Sequence, residues 1–399
     1  MKLTYIKATE FCESVRDGTH DTPKQTESGY KLVTGKHVKN GIIDPTEAYY
    51  ISEKDYNKIN ERSLVEQWDV LMSMIGTVGE VAVVKNNPNY AIKNVALFKC
   101  GGSELKGKWL SYYLRTPEAI GHMNGNQKGS SQQFLSLKQL RDLPIATTSE
   151  DVMRKIIDSL SHYDNLIENY QRQIKLLEEA ARRLYKEWFV DFRFPGYEHV
   201  KVINGIPEKW KKEAFSRRVD VMSGGTPKTS NPEYYNGNIP FYSPKDSDGA
   251  FFAFDTETHI SQNGLDNCNS KLYPAGTIII TAGGTVGKTT ILAKPMAMNQ
   301  SCYALKSEEI SSVYYLFFAL NQEIAALKTM ANGGVFDTII VKTFDSINIT
   351  IPTQAILDQF EYCISPIMEA IQNKMLEIIL LREARDRLLP KLMSGEIEL

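Results

Sequence analysis

The residues closest to a chemical motif are AGGTVGKT at positions 282–289. A loop of this kind cradles phosphates with its backbone amides, and Lys288 would reach the outer phosphates. Two features argue against that chemistry. The first glycine of the motif is Ala282, and the following TTILAKP reads as extended chain where phosphate binding requires a helix N-terminus. The same GTVG stands at 76–79, where Glu80 takes the place of the lysine. A turn common to two related segments is therefore expected, not a nucleotide site.

Other reactive patterns are equally incomplete. Asn87-Pro88-Asn89-Tyr90 resembles the Asn-Pro-Pro-Tyr loop of amino-methyltransferases, but Asn89 replaces the second proline and no glycine-rich cofactor loop precedes it. Asn-Pro also starts turns. The five cysteines, Cys12, Cys100, Cys268, Cys302 and Cys363, are scattered and form no CxxC, and the six histidines show no metal-ligand spacing. No GxSxG elbow occurs. The expectation is a reduced, cytoplasmic protein with no catalytic residues, no metal and no cofactor of its own. The start, MKLTYIKATEF, lacks an apolar signal core and reads as unprocessed. With 46 basic and 48 acidic residues, the chain has none of the overall basic excess usual in nucleic-acid binders. A local basic face is still compatible with that balance.

The elements that would position any site come in two copies. Thr22-Pro23-Lys24 recurs as Thr226-Pro227-Lys228, 204 residues later. Gly29, Gly41 and the GTVG recur at Gly237, Gly249 and 284–287, each after 208 residues. In each copy a turn-rich region contains strand-like runs, VLMSMIG and EVAVVK in the first, TIIITA and TTILAK in the second. Shorter helices are expected at GKWLSYYLRT and VYYLFFALNQ. A long helix then closes each copy. Met153, Ile156, Leu160, Tyr163, Ile167, Tyr170, Ile174, Leu177, Ala181, Leu184 and Trp188 alternate steps of three and four, a heptad seam. The same offsets 204 residues on give a second seam from Leu357 to Leu392, interrupted by Lys374 and Arg385, and Pro366 is expected to kink that helix. A stripe this narrow calls for a helical partner, and the two helices can supply one another. The predicted fold is mixed α/β (α+β), a pseudo-twofold internal repeat. Residues 1–150 form one domain, 151–190 a long helix, 191–210 an ordered connector, 211–352 a second domain and 353–395 a second long helix.

This layout resembles the specificity subunit of type I restriction–modification systems. Local strings agree: LYKEWFVDFRFPG after the first helix, GIPEKW opening the second half, GGTPKTSNPEYYNGNIPFYSPKD in the second domain, and the end RLLPKLMSGEIEL. The resemblance spans the whole chain and rests on the order of these strings more than on any one of them. It implies two target-recognition domains separated by two long antiparallel coiled-coil helices, each domain reading one half of a bipartite, asymmetric site in double-stranded DNA. It also implies two methyltransferase (modification) subunits docked on the helices and two restriction (motor nuclease) subunits. S-adenosylmethionine, ATP and Mg would belong to those partners, with no membrane involved.

Side chains on loops would then read base edges or sit on phosphates. In the first domain the candidates are Thr19, His20, Lys24, Lys36, His37, Lys39, Lys128, Ser130, Ser131, Gln132 and Gln133. In the second they are Thr226, Lys228, Lys245, Asp246, Lys288, Asn332, Phe336 and Asp337. The competing readings are a nucleotide-dependent DNA-processing enzyme and a coiled-coil adaptor whose globular halves bind protein.

Overall fold

The computed structural model describes residues 1–75, 78–124, 135–330 and 338–399. The chain forms two compact units, 1–167 with 380–399 and 168–379. The boundary falls within both long helices, Glu150–Tyr185 and Gln354–Ser394.

In the first unit, strand Thr4–Lys7 pairs antiparallel with Pro144–Thr147, bringing the start of the domain beside its end. An antiparallel sheet follows in the order Ser14–Asp17, Val95–Lys99, Val70–Ser73, Val81–Val83. The runs VLMS and VALFK are buried at every position, because sheet and helices cover both faces. A second sheet places Tyr30–Thr34 parallel to Tyr90–Lys93 and antiparallel to Tyr50–Ile51. Helix Glu104–Tyr113 packs Trp109 and Leu110 into the core, and the Trp109 indole donates to the Ala146 carbonyl at 2.7 Å.

The second unit repeats this plan. Lys211–Ala214 pairs with Asn348–Ile351. The main sheet runs Asp220–Ser223, Cys302–Lys306, Ile278–Thr281, Thr289–Leu292, with Phe252–Ala253 added parallel at the edge. Ile239–Tyr242 lies parallel to Ala297–Met298 and antiparallel to His259–Ile260. The internal repeat is thus one of topology as well as sequence. The expected short helix is longer here, Val313–Met330.

The heptad seams lie along the buried edges of the long helices, which also take in neighbouring residues outside the seams. In the first unit Met153, Ile156, Ile157 and Leu160 pack with Leu389, Leu392 and Met393. In the second, Ala181, Tyr185 and Trp188 pack with Leu357, Phe360, Ile364, Met368 and Ile371. Within each unit the early part of one helix meets the late part of the other, so the pair is antiparallel. The second helix continues through Pro366 without interruption. At the end of the first helix a π-turn, Lys186–Val190, carries Phe189 edge-on to Phe360 at 4.8 Å. The connector is ordered: Phe194 stacks on Trp210 at 5.1 Å, and the hairpin Val202–Ile203/Ile206–Pro207 turns at Asn204-Gly205, both with positive φ. No helix among the described residues is long and apolar enough to cross a membrane.

Candidate nucleic-acid interface

Each unit gathers those of its sequence-predicted residues that the structure describes into two loop clusters. In the first cluster a hairpin connects the third and fourth strands of the main sheet. The Gly79 amide donates to the Ser73 carbonyl at 3.0 Å, and the Glu80 amide donates to the Ser73 hydroxyl at 2.9 Å. In the second unit Gly287 donates to the Thr281 carbonyl at 2.8 Å and the Lys288 amide to the Thr281 hydroxyl at 3.0 Å. Gly79 and Gly287 both have positive φ, which explains the repeated glycine. Lys288 is followed by strand Thr289–Leu292, paired antiparallel with Ile278–Ile280, so the geometry of a phosphate-binding loop is missing.

The residue after that glycine ties down the neighbouring loop. Glu80 accepts the Asn40 amide at 2.8 Å, while Lys288 donates to the Ser247 carbonyl at 3.1 Å. Opposite charges perform one structural task by reversing the direction of the hydrogen bond. Lys288 also lines a cavity of about 560 Å³ with Arg182 and Phe251. The loops held in this way carry Lys36 and Lys39 in one unit and Lys245 in the other, all exposed. Two predicted contacts instead build the loops. His37 is buried, accepts the Thr34 amide at Nδ1 (2.9 Å), and is pushed toward the neutral form by burial and by Lys36. Asp246 accepts from the Ser243 amide and hydroxyl at 2.9 and 2.8 Å and from the Glu257 amide at 2.8 Å. These bonds occupy both carboxylate oxygens of Asp246.

The second cluster holds the Thr-Pro-Lys segments. Thr19 is half-buried; its amide donates to the Ile92 carbonyl at 3.0 Å, and its hydroxyl accepts the Asp21 amide at 3.1 Å. The equivalent amide of Gly225 donates to Met298 at 3.1 Å. Thr22 is bonded to Lys93, the last residue of the parallel strand, and Thr226 to Gln300, two residues past its counterpart, so both threonines pin their loop to the end of that strand. Lys24 and Lys228 are exposed. His20 is exposed yet held on both sides, with Nδ1 2.7 Å from Asn94 Oδ1 and Nε2 3.0 Å from Asp17 Oδ2. Arg62 bonds the other oxygen of Asp17. Asp17, Arg62 and Asn94 are absent from the sequence-derived candidates. Lys128, Ser130, Ser131, Gln132 and Gln133, and Asn332, Phe336 and Asp337, lie outside the described residues.

The duplicated architecture has a match among known families. The model of the type I restriction modification DNA specificity domain matches residues 3–179 and again residues 207–377. The chain belongs to this family. Its relatives include the type I restriction enzyme MjaIX specificity subunit of Methanocaldococcus jannaschii, 27% identical over 368 residues, covering 88% of this chain and 84% of the relative. The HindI specificity subunit of Haemophilus influenzae is 25% identical over 326 residues, 66% of this chain and 71% of that protein. The solved structure of a type I restriction–modification S subunit from M. genitalium shares the fold, with a TM-score of 0.54 at 15% identity over 98% of this chain and 96% of the other. This chain is a DNA-binding specificity subunit of the type I restriction–modification class. As a member of that family, it carries its two loop clusters once per matched domain.

Proposed function

We propose that each unit of this specificity subunit reads one half of a bipartite, asymmetric DNA site, and that the paired helices dock two methyltransferase subunits. S-adenosylmethionine works in those subunits, and ATP and Mg in two restriction subunits that complete a cytoplasmic assembly. This chain contributes the address and the spacing, and bond-making belongs to its partners. The observation that carries this reading is one scaffold repeated with unlike side chains at equivalent places, as at Glu80 and Lys288. Two unlike readers on one chain bind two unlike half-sites, and the second half-site is met at high effective concentration. Exposed Lys24, Lys36 and Lys39, and Lys228 and Lys245, suit phosphate contact. The amide-rich run at 128–133 and the residues Asn332, Phe336 and Asp337 suit base edges.

Exchanging residues 1–150 for the matching domain of a relative tests the assignment. Methylation mapping of a host carrying the chimera is expected to show one half-site replaced and the other retained. Replacement of both halves would count against separate readers.

A further inference from the structure

Helix Glu53–Ser63 of the first unit carries Lys54, Lys58 and Arg62 four residues apart, along one exposed face. Its start is capped by the Ser52 hydroxyl, which accepts the Asp55 amide at 3.1 Å. Buried Ile59 and the Tyr56 ring, stacked on Tyr30 at 3.8 Å, hold the opposite side to the sheet. A cleft of about 520 Å³ opens between this helix and the loop at 19–23, lined by Lys58, Arg62 and His20.

Behind it lies Asp17, only 5% exposed. One carboxylate oxygen is 3.0 Å from His20 Nε2 and the other accepts from Arg62. A buried carboxylate needs such partners, because a charge left unpaired in the interior is strongly destabilising. The consequence is that two exposed nitrogen-bearing side chains are fixed on opposite walls of one cleft. Arg62 is held a second time through its backbone carbonyl, which accepts from Arg16 at 2.8 Å.

We propose that Lys58 and Arg62 clamp backbone phosphates of the DNA at the first half-site, with Asp17 as the residue that positions Arg62 and His20 as the wall that holds Asp17 in place. The proposal rests on the DNA-reading function above. Phosphate is favoured over base because the cleft offers cationic donors and no aromatic face for stacking. Two carboxylates also border it: Asp55 accepts from the Ser52 hydroxyl at 2.7 Å and serves the helix cap, and Asp21 is exposed to solvent on the facing loop. Among its described residues the second unit lacks the device. Ser223 occupies the sheet position of Asp17, and the five-residue helix Gln262–Asp266 stands where the basic helix would be. The two half-sites are therefore gripped unequally, which lets a chain of near-neutral charge concentrate its basic contacts on one side.

The test uses the assembled complex with its modification subunits and a duplex containing the mapped site, titrated at several KCl concentrations. Lys58→Ala and Arg62→Ala are each expected to weaken binding several-fold and to flatten the slope of log affinity against log salt by about 0.9 per lost phosphate. The methylated sequence should stay unchanged. Asp17→Asn should flatten the slope too, and should add no further flattening in the Arg62→Ala, Lys58→Ala background; a purely structural carboxylate would change the unfolding midpoint and leave the slope alone. An unchanged slope in the double variant, with site-specific binding intact, overturns the clamp, as does altered base preference. Absence of any site-specific binding by the unaltered complex overturns the DNA-reading function itself.

Discussion

Arg385 occupies a seam position where an apolar side chain is expected, and it is buried. Its guanidinium donates to Asp164 at 2.6 Å, and the other Asp164 oxygen accepts the Tyr112 hydroxyl at 2.6 Å. Burial pushes the Asp164 carboxyl up, but the Arg115 and Arg385 charges and the Tyr112 hydroxyl outweigh it and hold it below the usual carboxylate range. A carboxyl depressed in the folded state stabilises above its unfolded pKa, near 3.8, and that stability is lost as pH falls toward the lower folded value. Arg385→Ala should cost about 2 kcal/mol at neutral pH, because half-buried Asp164 loses its nearest charge and keeps Arg115, at 3.8 Å, and the Tyr112 hydroxyl. The pair Asp164→Leu, Arg385→Met leaves Arg115 without its carboxylate, so it should recover only part of that loss while removing the contribution of Asp164 to the acid dependence. Denaturant titration of the parent and both variants between pH 3 and 7 checks both points, and an Arg385→Ala midpoint equal to the parent would show the ion pair to be idle. Lys374, the other charge in the seam, lies over the Tyr170 ring at 4.8 Å. The period of the seam could be read from the sequence alone. The partners that make its two charges tolerable could not, since Asp164 and Tyr170 lie more than 200 residues away in the chain.

Among the elements, strands flanked by repeated glycines were legible, and so were the helices around Trp109 and Phe317. Their pairing was not. The parallel contact of Tyr30–Thr34 with Tyr90–Lys93 joins segments about 60 residues apart, and period-two patterning is blind to the partner. The same limit hid the Asp17 cluster, whose members come from a strand, a helix and a turn. Gly18 and Gly224 show what the pairing demands. A side-chain carbon on either would run into a backbone carbonyl, of Ile92 in the first unit and Asn299 in the second. Gly224→Ala should therefore destabilise its unit by about 1–3 kcal/mol, the usual range for overpacking. Gly283→Ala is the control, because nothing lies within 4 Å of the added carbon and its φ is not left-handed. Thermal unfolding of the two variants is expected to separate them clearly. Equal midpoints would mean that the loop at 224–228 moves aside at no cost.

For the whole molecule, the proposed function makes the long helices the ruler between half-sites. Seven residues added to each helix at facing places, after Ile167 and after Ile379, leave every seam position in phase. Tyr170 then still has a seam residue opposite, and the Asp164–Arg385 pair stays within the first unit. At 1.5 Å per residue each insertion adds about 10 Å of helix. At about 34–36 Å per 10–10.5 base pairs, that length corresponds to roughly three base pairs. Those three pairs also rotate the far half-site by about 100° around the duplex, since a full turn takes 10–10.5 pairs. Bending of the DNA and tilt of the helices absorb part of both changes, so the expected result is a gap longer by about two to four pairs, with reduced activity. The half-site sequences themselves should not change, because no loop that contacts DNA has been touched. A three-residue insertion in each helix makes the complementary case, since it rotates the seam off its partner by about a seventh of its period and should abolish assembly with the modification subunits instead of changing the gap. Methylation mapping of hosts carrying each insertion decides the matter. An unchanged gap with full activity in the seven-residue variant would show that the helices do not set the distance.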